Sequence, residues 1–335
     1  MKKPASKTPE DTRSYIAEVI GEESLVGARM PAGELLHLMD LAAVTAAWKF
    51  CQSEAVTIAF DRVELLNYIC HMDYFRYEAC VIKTGMSSMI IQVDGYNKAP
   101  TEMELHPAHS GIITMVAINE DGTPNRNIPE LEYHSKADLE KKELIRNREK
   151  ALIKRKKALA NIEASPAILT DHFPDPCERS AYYAPSDTEL TFRKIFMPKN
   201  TNPLGVVFGG DIIQLMEDLA IANARTFTGN LNMVTIAMED VTFLRPIKSK
   251  DLVSMISRVT FVAQTTMVVE VITEILHPFS DERYVTHKGT FTVLNYDRAG
   301  RKKMITTGLD MSQASLEEKK QNLKELIKYT IRNNN

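Results

Sequence analysis

Two carboxylates and a pair of glycines are the residues of this chain best placed to do chemistry. Asn202-Pro203-Leu204-Gly205-Val206-Val207-Phe208-Gly209-Gly210 leads into a predicted helix that carries Glu217 two turns further on. Paired glycines at a helix start let a ligand approach the backbone closely. The first-turn N–H groups lack helical partners and point at negative charge, with the helix dipole behind them. An oxyanion forming on a carbonyl oxygen is such a charge. Glu217 lies on a mostly apolar helix, and Asp40 lies in a still more apolar stretch, Leu35-Leu36-His37-Leu38-Met39-Asp40-Leu41-Ala42-Ala43-Val44. A carboxylate in such surroundings is costly to bury unless it is paired or used. Each acid is either put to use or is a satisfied core carboxylate capping a loop, and the residues alone leave both readings open.

The elements that must position these groups occur twice. Val56-Thr57-Ile58-Ala59 recurs as Val234-Thr235-Ile236-Ala237, and Ser87–Val93 recurs as Thr265–Val271. His109-Ser110-Gly111 recurs as His287-Lys288-Gly289, and Asp121-Gly122 as Ala299-Gly300, all at an offset of 178. Leu38-Met39-Asp40 matches Leu215-Met216-Glu217 at an offset of 177, one residue of loop accounting for the difference. Such self-similarity implies one structural unit repeated. Each copy reads as a short strand (13–20; 190–197), a loop, a helix (33–50; 210–226) and four strands rich in β-branched residues. The strands fall near 55–66, 73–83, 87–97 and 109–119, and near 233–244, 252–263, 265–276 and 285–296. The first helix is apolar on nearly every face, which predicts burial. The fold class is therefore α+β, with each curved antiparallel sheet wrapped around a central helix.

Between the copies the texture changes. Ser135 caps a predicted helix to about residue 164, and residues 136–157 hold ten Lys or Arg against four Asp or Glu. That reads as a solvated linker helix, or less simply as a basic surface for anionic ligands. Pro166 to Pro185, with Pro174 and Pro176, reads as extended linker, and Leu316, Leu323, Leu326 and Ile327 share helical spacing in a terminal docking helix. The resulting units are 1–128, a linker over 129–185, 186–311 and a terminal helix over 312–335. A net charge of −3 argues against a nucleic-acid or membrane-surface protein. Cys51, Cys70, Cys80 and Cys177 show neither pairing nor CxxC spacing, Met1-Lys2-Lys3-Pro4 is followed by no apolar run, and nothing approaches a membrane span. A cytoplasmic protein is expected.

Residues 190–303 resemble a hotdog-fold acyl-CoA thioesterase. The resemblance rests on Leu190–Pro198, Asn202, Gly205, Phe208-Gly209-Gly210, Leu215-Met216-Glu217, Val234–Ala237, Phe243-Leu244-Arg245-Pro246 and Asp297–Gly300. It covers the second copy fully and the first loosely, and with two units and a helical linker the chain is similar to the double-hotdog cytosolic acyl-CoA hydrolases. The resemblance implies tandem hotdogs paired within one chain, with a site at each junction. One half supplies a loop asparagine and a helix-start amide, and the other supplies the helix acid. One site would take Asn202 and Gly209 with Asp40 and Thr57. The other would take Glu217 and Thr235, facing a loop in which Leu25, Arg29, Pro31 and Ala32 stand opposite Asn202, Val206, Phe208 and Gly209. That loop lacks the asparagine, so the second site is expected to be degenerate. Phe208, Gly210, Arg245 and Arg301 are expected at the substrate, with Lys248, Lys250, Lys302 and Lys303 as further candidates for the CoA phosphates. No metal and no cofactor beyond the CoA of the substrate is implied, and a homotrimer of double hotdogs is the implied assembly.

Two other classes compete. His37, three residues before Asp40, resembles the histidine–carboxylate pair of a hotdog hydratase or dehydratase, but the Asp-Pro-His loop spacing of that group is absent and Gln214 stands opposite His37. His109 and His287 repeat without a ligand set around them. A non-catalytic acyl-CoA sensor is the third reading, distinguished by binding without thiol release.

Overall fold

Thirteen of the twenty residues of the first helix are buried, as its unbroken apolar sequence requires. In the computed structural model, which describes residues 4–22, 29–167, 177, 179–202, 204–277, 280 and 282–333, that helix is wrapped by sheet. The elements run β1 (Ser14–Val19), α1 (Ala32–Cys51), β2 (Glu54–Leu65), β3 (Tyr74–Thr84), β4 (Ser88–Lys98), β5 (His106–Ile118) and α2 (Lys136–Glu163). They continue with β6 (Ala181–Tyr183), β7 (Leu190–Ile195), α3 (Gly209–Thr228), β8 (Met233–Phe243), β9 (Leu252–Val262), β10 (Thr266–Leu276), β11 (Arg283–Asn295), β12 (Thr307–Leu309) and α4 (Leu316–Asn333). Each repeat thus forms one hotdog unit, and the strand positions agree closely with the alternation in the sequence.

The two units share one sheet. Ten strands run in the order β1-β3-β4-β5-β2-β8-β11-β10-β9-β7. The seam is the antiparallel pairing of β2 with β8, from Ala59↔Thr242 through Arg62↔Glu239 to Glu64↔Ala237. Both central helices lie on the same side of this sheet and pack on each other, so one apolar core runs through Met39, Phe60, Val63, Met216, Met238 and Val241. Glycine permits the helices to lie close to the sheet. A Cβ on Gly111 of β5 would meet Met39 Sδ at 2.9 Å and Val63 at 3.0 Å, and one on Gly289 of β11 would meet Val241 at 2.6 Å.

On the outer face, α2 is more than a solvated linker. Ser135 and Asp138 close a capping box at its start. Ile145 is buried against Cys80, Ile82 and Ile112. Seven residues apart on one face, Arg148 reaches Asp61 of β2 at 3.1 Å and Arg155 pairs with Asp240 of β8, so α2 bridges the seam. Asp240 also receives α4: Lys328 lies 2.9 Å from it, and Arg332 lies 3.1 Å from the neighbouring Glu239. The terminal helix docks as expected, but with a different face. Leu316 is exposed, while Asn322, Glu325 and Lys328 are buried and Leu326 and Tyr329 pack on Phe261, Ala263 and Val268. Polar partners on the sheet, such as the Thr260 carbonyl that accepts from Asn322 Nδ2 at 2.7 Å, decide that orientation. Most of the Pro-containing linker, with Pro174 and Pro176, lies outside the described residues, as does Leu25. Among the described residues no helix is long and apolar enough to cross a membrane.

Gly289→Val is expected to lower unfolding stability by about 1–3 kcal/mol, the usual cost of overpacking a core. A shift of the urea midpoint measures it, and an unchanged midpoint would show that Val241 yields freely.

Candidate functional site

The crossing of α1 and α3 creates two related sites. Gly33 and Gly210, each the second residue of its helix, make the crossing tight. A Cβ on Gly33 would lie 3.2 Å from the Gln214 carbonyl oxygen, and one on Gly210 would lie 3.2 Å from the His37 Cα. Three residues beyond each contact point stands the acid, Asp40 after His37 and Glu217 after Gln214. Each helix start therefore arrives beside the acid of its partner, bringing the free first-turn N–H groups with it.

In the second site Glu217 is held on both sides. Its Oε1 accepts from the Thr235 hydroxyl and its Oε2 from the Gly33 amide at 3.2 Å. Burial pushes its carboxyl up to about 7, against the pull of the Thr235 hydrogen bond. In the first site the Thr57 hydroxyl donates to Asp40 Oδ1 at 2.7 Å. The other oxygen, Oδ2, is buried, makes no well-formed hydrogen bond among the described residues, and lies 3.0 Å from where a Gly209 Cβ would sit. Burial pushes Asp40 up to about 6, while Thr57 and then the Gly210 amide pull it down. Asp40 is thus ionised at neutral pH, with one oxygen anchored by Thr57 and the other facing the Gly210 amide without a well-formed hydrogen bond.

A cleft of about 520 Å³ opens on this first site, lined by Thr57, Asn202, Phe208, Gly209, Arg245 and Lys248 together with apolar Val44, Ala55, Ile58, Ile118, Ile212 and Phe243. Such a size and lining suit a small organic ligand. Asn202 shapes the loop above it, its Oδ1 accepting from Leu204 N at 3.0 Å and Val206 N at 3.1 Å. Asn202, Gly209, Thr57, Phe208 and Arg245 line this cleft, and Asp40 lies behind it against Thr57 and Gly209. Two expected substrate contacts do not line it. Gly210 is buried against His37, because it serves the helix crossing. Arg301 is paired to Asp297 on the hairpin after β11, beside Gly300 and so on the side of the second site. Nor is His37 placed for hydratase chemistry: it faces Asp211 of the partner helix at 3.3 Å, and that contact raises its pKa.

The second site has larger residues where the first has its cleft. Arg29 stands where the first site has Val206, and its guanidinium stacks 3.6 Å above the ring centroid of Tyr68 and 5.2 Å from that of Tyr296. Tyr68 and Tyr296 replace Pro246 and Ile118, and buried Met233 replaces Ala55. This filling is a feature that reading the loop alone missed. Comparing the copies at the wall positions, and not only at the acids, would have exposed it.

Against this geometry, the sequence profile of the thioesterase superfamily matches residues 32–104 and 204–274, one segment in each repeat. Each repeat thus contains a segment similar to the thioesterase superfamily, and the pair forms a double hotdog. Among curated proteins, the chain is 34% identical over 96 residues to an uncharacterised acyl-CoA thioester hydrolase of Zymomonas mobilis, covering 29% of this chain and 64% of that one, less than two thirds of its length. It is 29% identical over 119 residues to an uncharacterised acyl-CoA thioester hydrolase of Haemophilus influenzae, covering 35% and 77%. Among solved structures, an acyl-CoA hydrolase of Agrobacterium tumefaciens overlaps 87% of this chain and 97% of its own, at 22% identity and a TM-score of 0.32.

The raised carboxyls carry a consequence for stability. Both acids bind protons more tightly folded than at their ordinary values of 3.8 and 4.5, so the folded state is favoured by protonation. The contribution of these two acids to stability falls as pH rises from about 4 to about 7, while buried His109 and His287, lowered to about 4 and about 3, contribute the opposite trend. Asp40→Asn removes one of the two acid ionisations, so its urea midpoint should rise relative to that of the wild type across this range. A constant difference between the two proteins would show that Asp40 does not titrate there.

Proposed function

We propose that this protein is an acyl-CoA thioesterase, hydrolysing an acyl-CoA to a free carboxylic acid and CoA at the composite site of Asp40, Thr57, Gly209 and Asn202. The observation that carries the reading is the buried Asp40 carboxylate, anchored by Thr57 and lying beside the Gly209 helix start, directly behind Thr57 and Gly209 where they line an open cleft. The names of the curated relatives agree with it.

The thioester carbonyl oxygen accepts from the Gly209 N–H, a first-turn donor that helix geometry leaves without a partner. Asp40 Oδ2 takes a proton from water as the water oxygen bonds to the carbonyl carbon. Collapse of the tetrahedral intermediate breaks the C–S bond, and the proton on Asp40 passes to the departing CoA sulfur. Thr57 fixes the carboxylate throughout, and Asn202 holds the loop that closes over the ligand. Arg245 and Lys248 at the cleft offer positive charge to the CoA phosphates. Glu217 has both oxygens engaged, by Thr235 and the Gly33 amide, so in this reading it serves structure. The protein works in the cytoplasm, consistent with four cysteines that form no disulfide among the described residues, and it assembles as a trimer of double hotdogs.

Release of free thiol from a panel of acyl-CoAs, followed with a chromogenic thiol reagent, tests the activity. Asp40→Asn is expected to lower kcat by about 10²–10⁴-fold, the usual contribution of a general base, and Glu217→Gln to keep most of it. A dead Glu217→Gln beside an active Asp40→Asn would reverse the assignment of the sites. Binding of acyl-CoA with no thiol release would point to a sensor. In the active protein, kcat/KM should fall about tenfold per pH unit below about 6, where Asp40 takes up its proton.

A further inference from the structure

His109 and His287 are equivalent in the two repeats, yet their hydrogen bonds oblige them to carry the proton on opposite ring nitrogens. Both are almost wholly buried, on β5 and β11. In the first repeat, His109 Nε2 lies 3.2 Å from the Asn67 carbonyl oxygen, which can only accept, so Nε2 bears the hydrogen. Its Nδ1 then accepts from the Tyr77 hydroxyl at 3.0 Å, and both nitrogens are satisfied. In the second repeat, Met255 replaces Tyr77, Arg245 replaces Asn67 and Thr286 replaces Ala108. Thr286 is the extra residue of a β-bulge, since Thr273 pairs with His287 while Glu274 pairs with Val285. Its hydroxyl donates to the Thr273 carbonyl at 3.0 Å, which spends its single hydrogen. The contact of 2.9 Å between Thr286 Oγ1 and His287 Nδ1 therefore runs from Nδ1–H to the hydroxyl oxygen. His287 is left with a bare lone pair on Nε2.

That nitrogen has no hydrogen-bond partner among the described residues, and His287 lines the cleft of the first site. Burial drives the pKa of His287 down to about 3, so the ring stays neutral and Nε2 stays an acceptor. The place of the ring in the cleft narrows what it could accept from. It stands edge to face on Phe243 at 4.7 Å, and Phe243 in turn lies against Gly209. The backbone next to it, the Thr286 carbonyl, receives the N–H groups of Leu244 and Arg245. His287 thus lines the cleft beside Phe243, which lies against the Gly209 helix start, and its strand neighbour Thr286 is bonded to the Leu244–Arg245 backbone that leads to the cleft's Arg245 and Lys248.

Resting on the acyl-CoA reading above, we infer that His287 is a specificity residue, whose Nε2 accepts a hydrogen bond from the pantetheine amide N–H nearest the thioester sulfur. In a CoA thioester that N–H is the first donor beyond the sulfur, two carbons away, on the path from the reacting carbonyl to the phosphates. A site with a buried acceptor discriminates against a ligand that leaves the acceptor unpaired.

The test compares two short substrates carrying the acyl group best hydrolysed in the CoA panel. One is the thioester of N-acetylcysteamine, and the other is the thioester of 2-acetoxyethanethiol, in which the amide N–H is replaced by an ester oxygen. The wild type is expected to favour the amide by about tenfold in kcat/KM. His287→Phe, which keeps the aromatic contact with Phe243, should lose that preference. His287→Gln, whose side-chain oxygen also reaches the cleft as an acceptor, should keep part of it. Melting temperature verifies the fold of each variant. A wild type indifferent to the exchange overturns the inference without any variant being needed, and so does a folded His287→Phe protein that keeps the preference. Failure to hydrolyse any acyl-CoA would instead overturn the thioesterase reading.

Discussion

The close crossing of α1 and α3 is the constraint on which the rest of this molecule depends. Gly33 and Gly210 are the contact points, and any side chain there would meet the backbone of the opposite helix. The crossing sets three things at once. It delivers each helix start, with its unpartnered amides, to the acid of the other helix. It buries both acids, which raises their carboxyls far above their ordinary range. It also requires the two sheets to meet edge to edge, because helices this close draw β2 and β8 into pairing distance. Neither repeat alone contains a complete site.

From that shared frame the copies have diverged in their walls more than in their acids. Both acids keep a threonine partner and a facing glycine, so the second site preserves the polar skeleton of the first. It differs in volume and in commitment. Arg29, Tyr68, Tyr296 and Met233 stand where the first site has the smaller Val206, Pro246, Ile118 and Ala55, and the Gly33 amide bonds Glu217 more closely than the Gly210 amide bonds Asp40. With both oxygens bonded, Glu217 acts as a tie between the helices. The two histidines follow the same course, satisfied on both nitrogens where the cleft is filled and on one where it is open.

Much of this was legible in the sequence. The repeat, the buried helices and the strands follow from apolar periodicity, and Asp40, Thr57, Asn202 and Gly209 follow from comparing the copies and from the resemblance to hotdog thioesterases. What was not legible depends on distances between segments far apart in the chain. Gly210 reads as a place for a ligand because paired glycines at a helix start have two uses, and only the position of His37 decides between them. Arg301 reads as a phosphate contact because a basic run has no address until its hairpin is placed. The buried face of α4 was misjudged because Asn322, Glu325 and Lys328 look like surface residues until their partners on the sheet are known. The tautomer of His287 depends on a bulge at Thr286, which leaves no trace in the alternation of the strand.

The linker helix changes the thermodynamics of pairing. The seam between β2 and β8 is short, and two separate hotdogs meeting through it would associate only as their concentration allowed. Here α2 spans that seam, with Arg148 on one unit and Arg155 on the other. Pairing is therefore intramolecular, at an effective concentration of the order that a short tether provides, which is in the millimolar range. The halves find each other regardless of dilution, and each copy of the site can change without the other having to change in step. Covalent joining thus releases the two sites from the symmetry that an assembly of identical units imposes, and this is what permits Val206, Pro246, Ile118 and Ala55 at one site to stand opposite Arg29, Tyr68, Tyr296 and Met233 at the other.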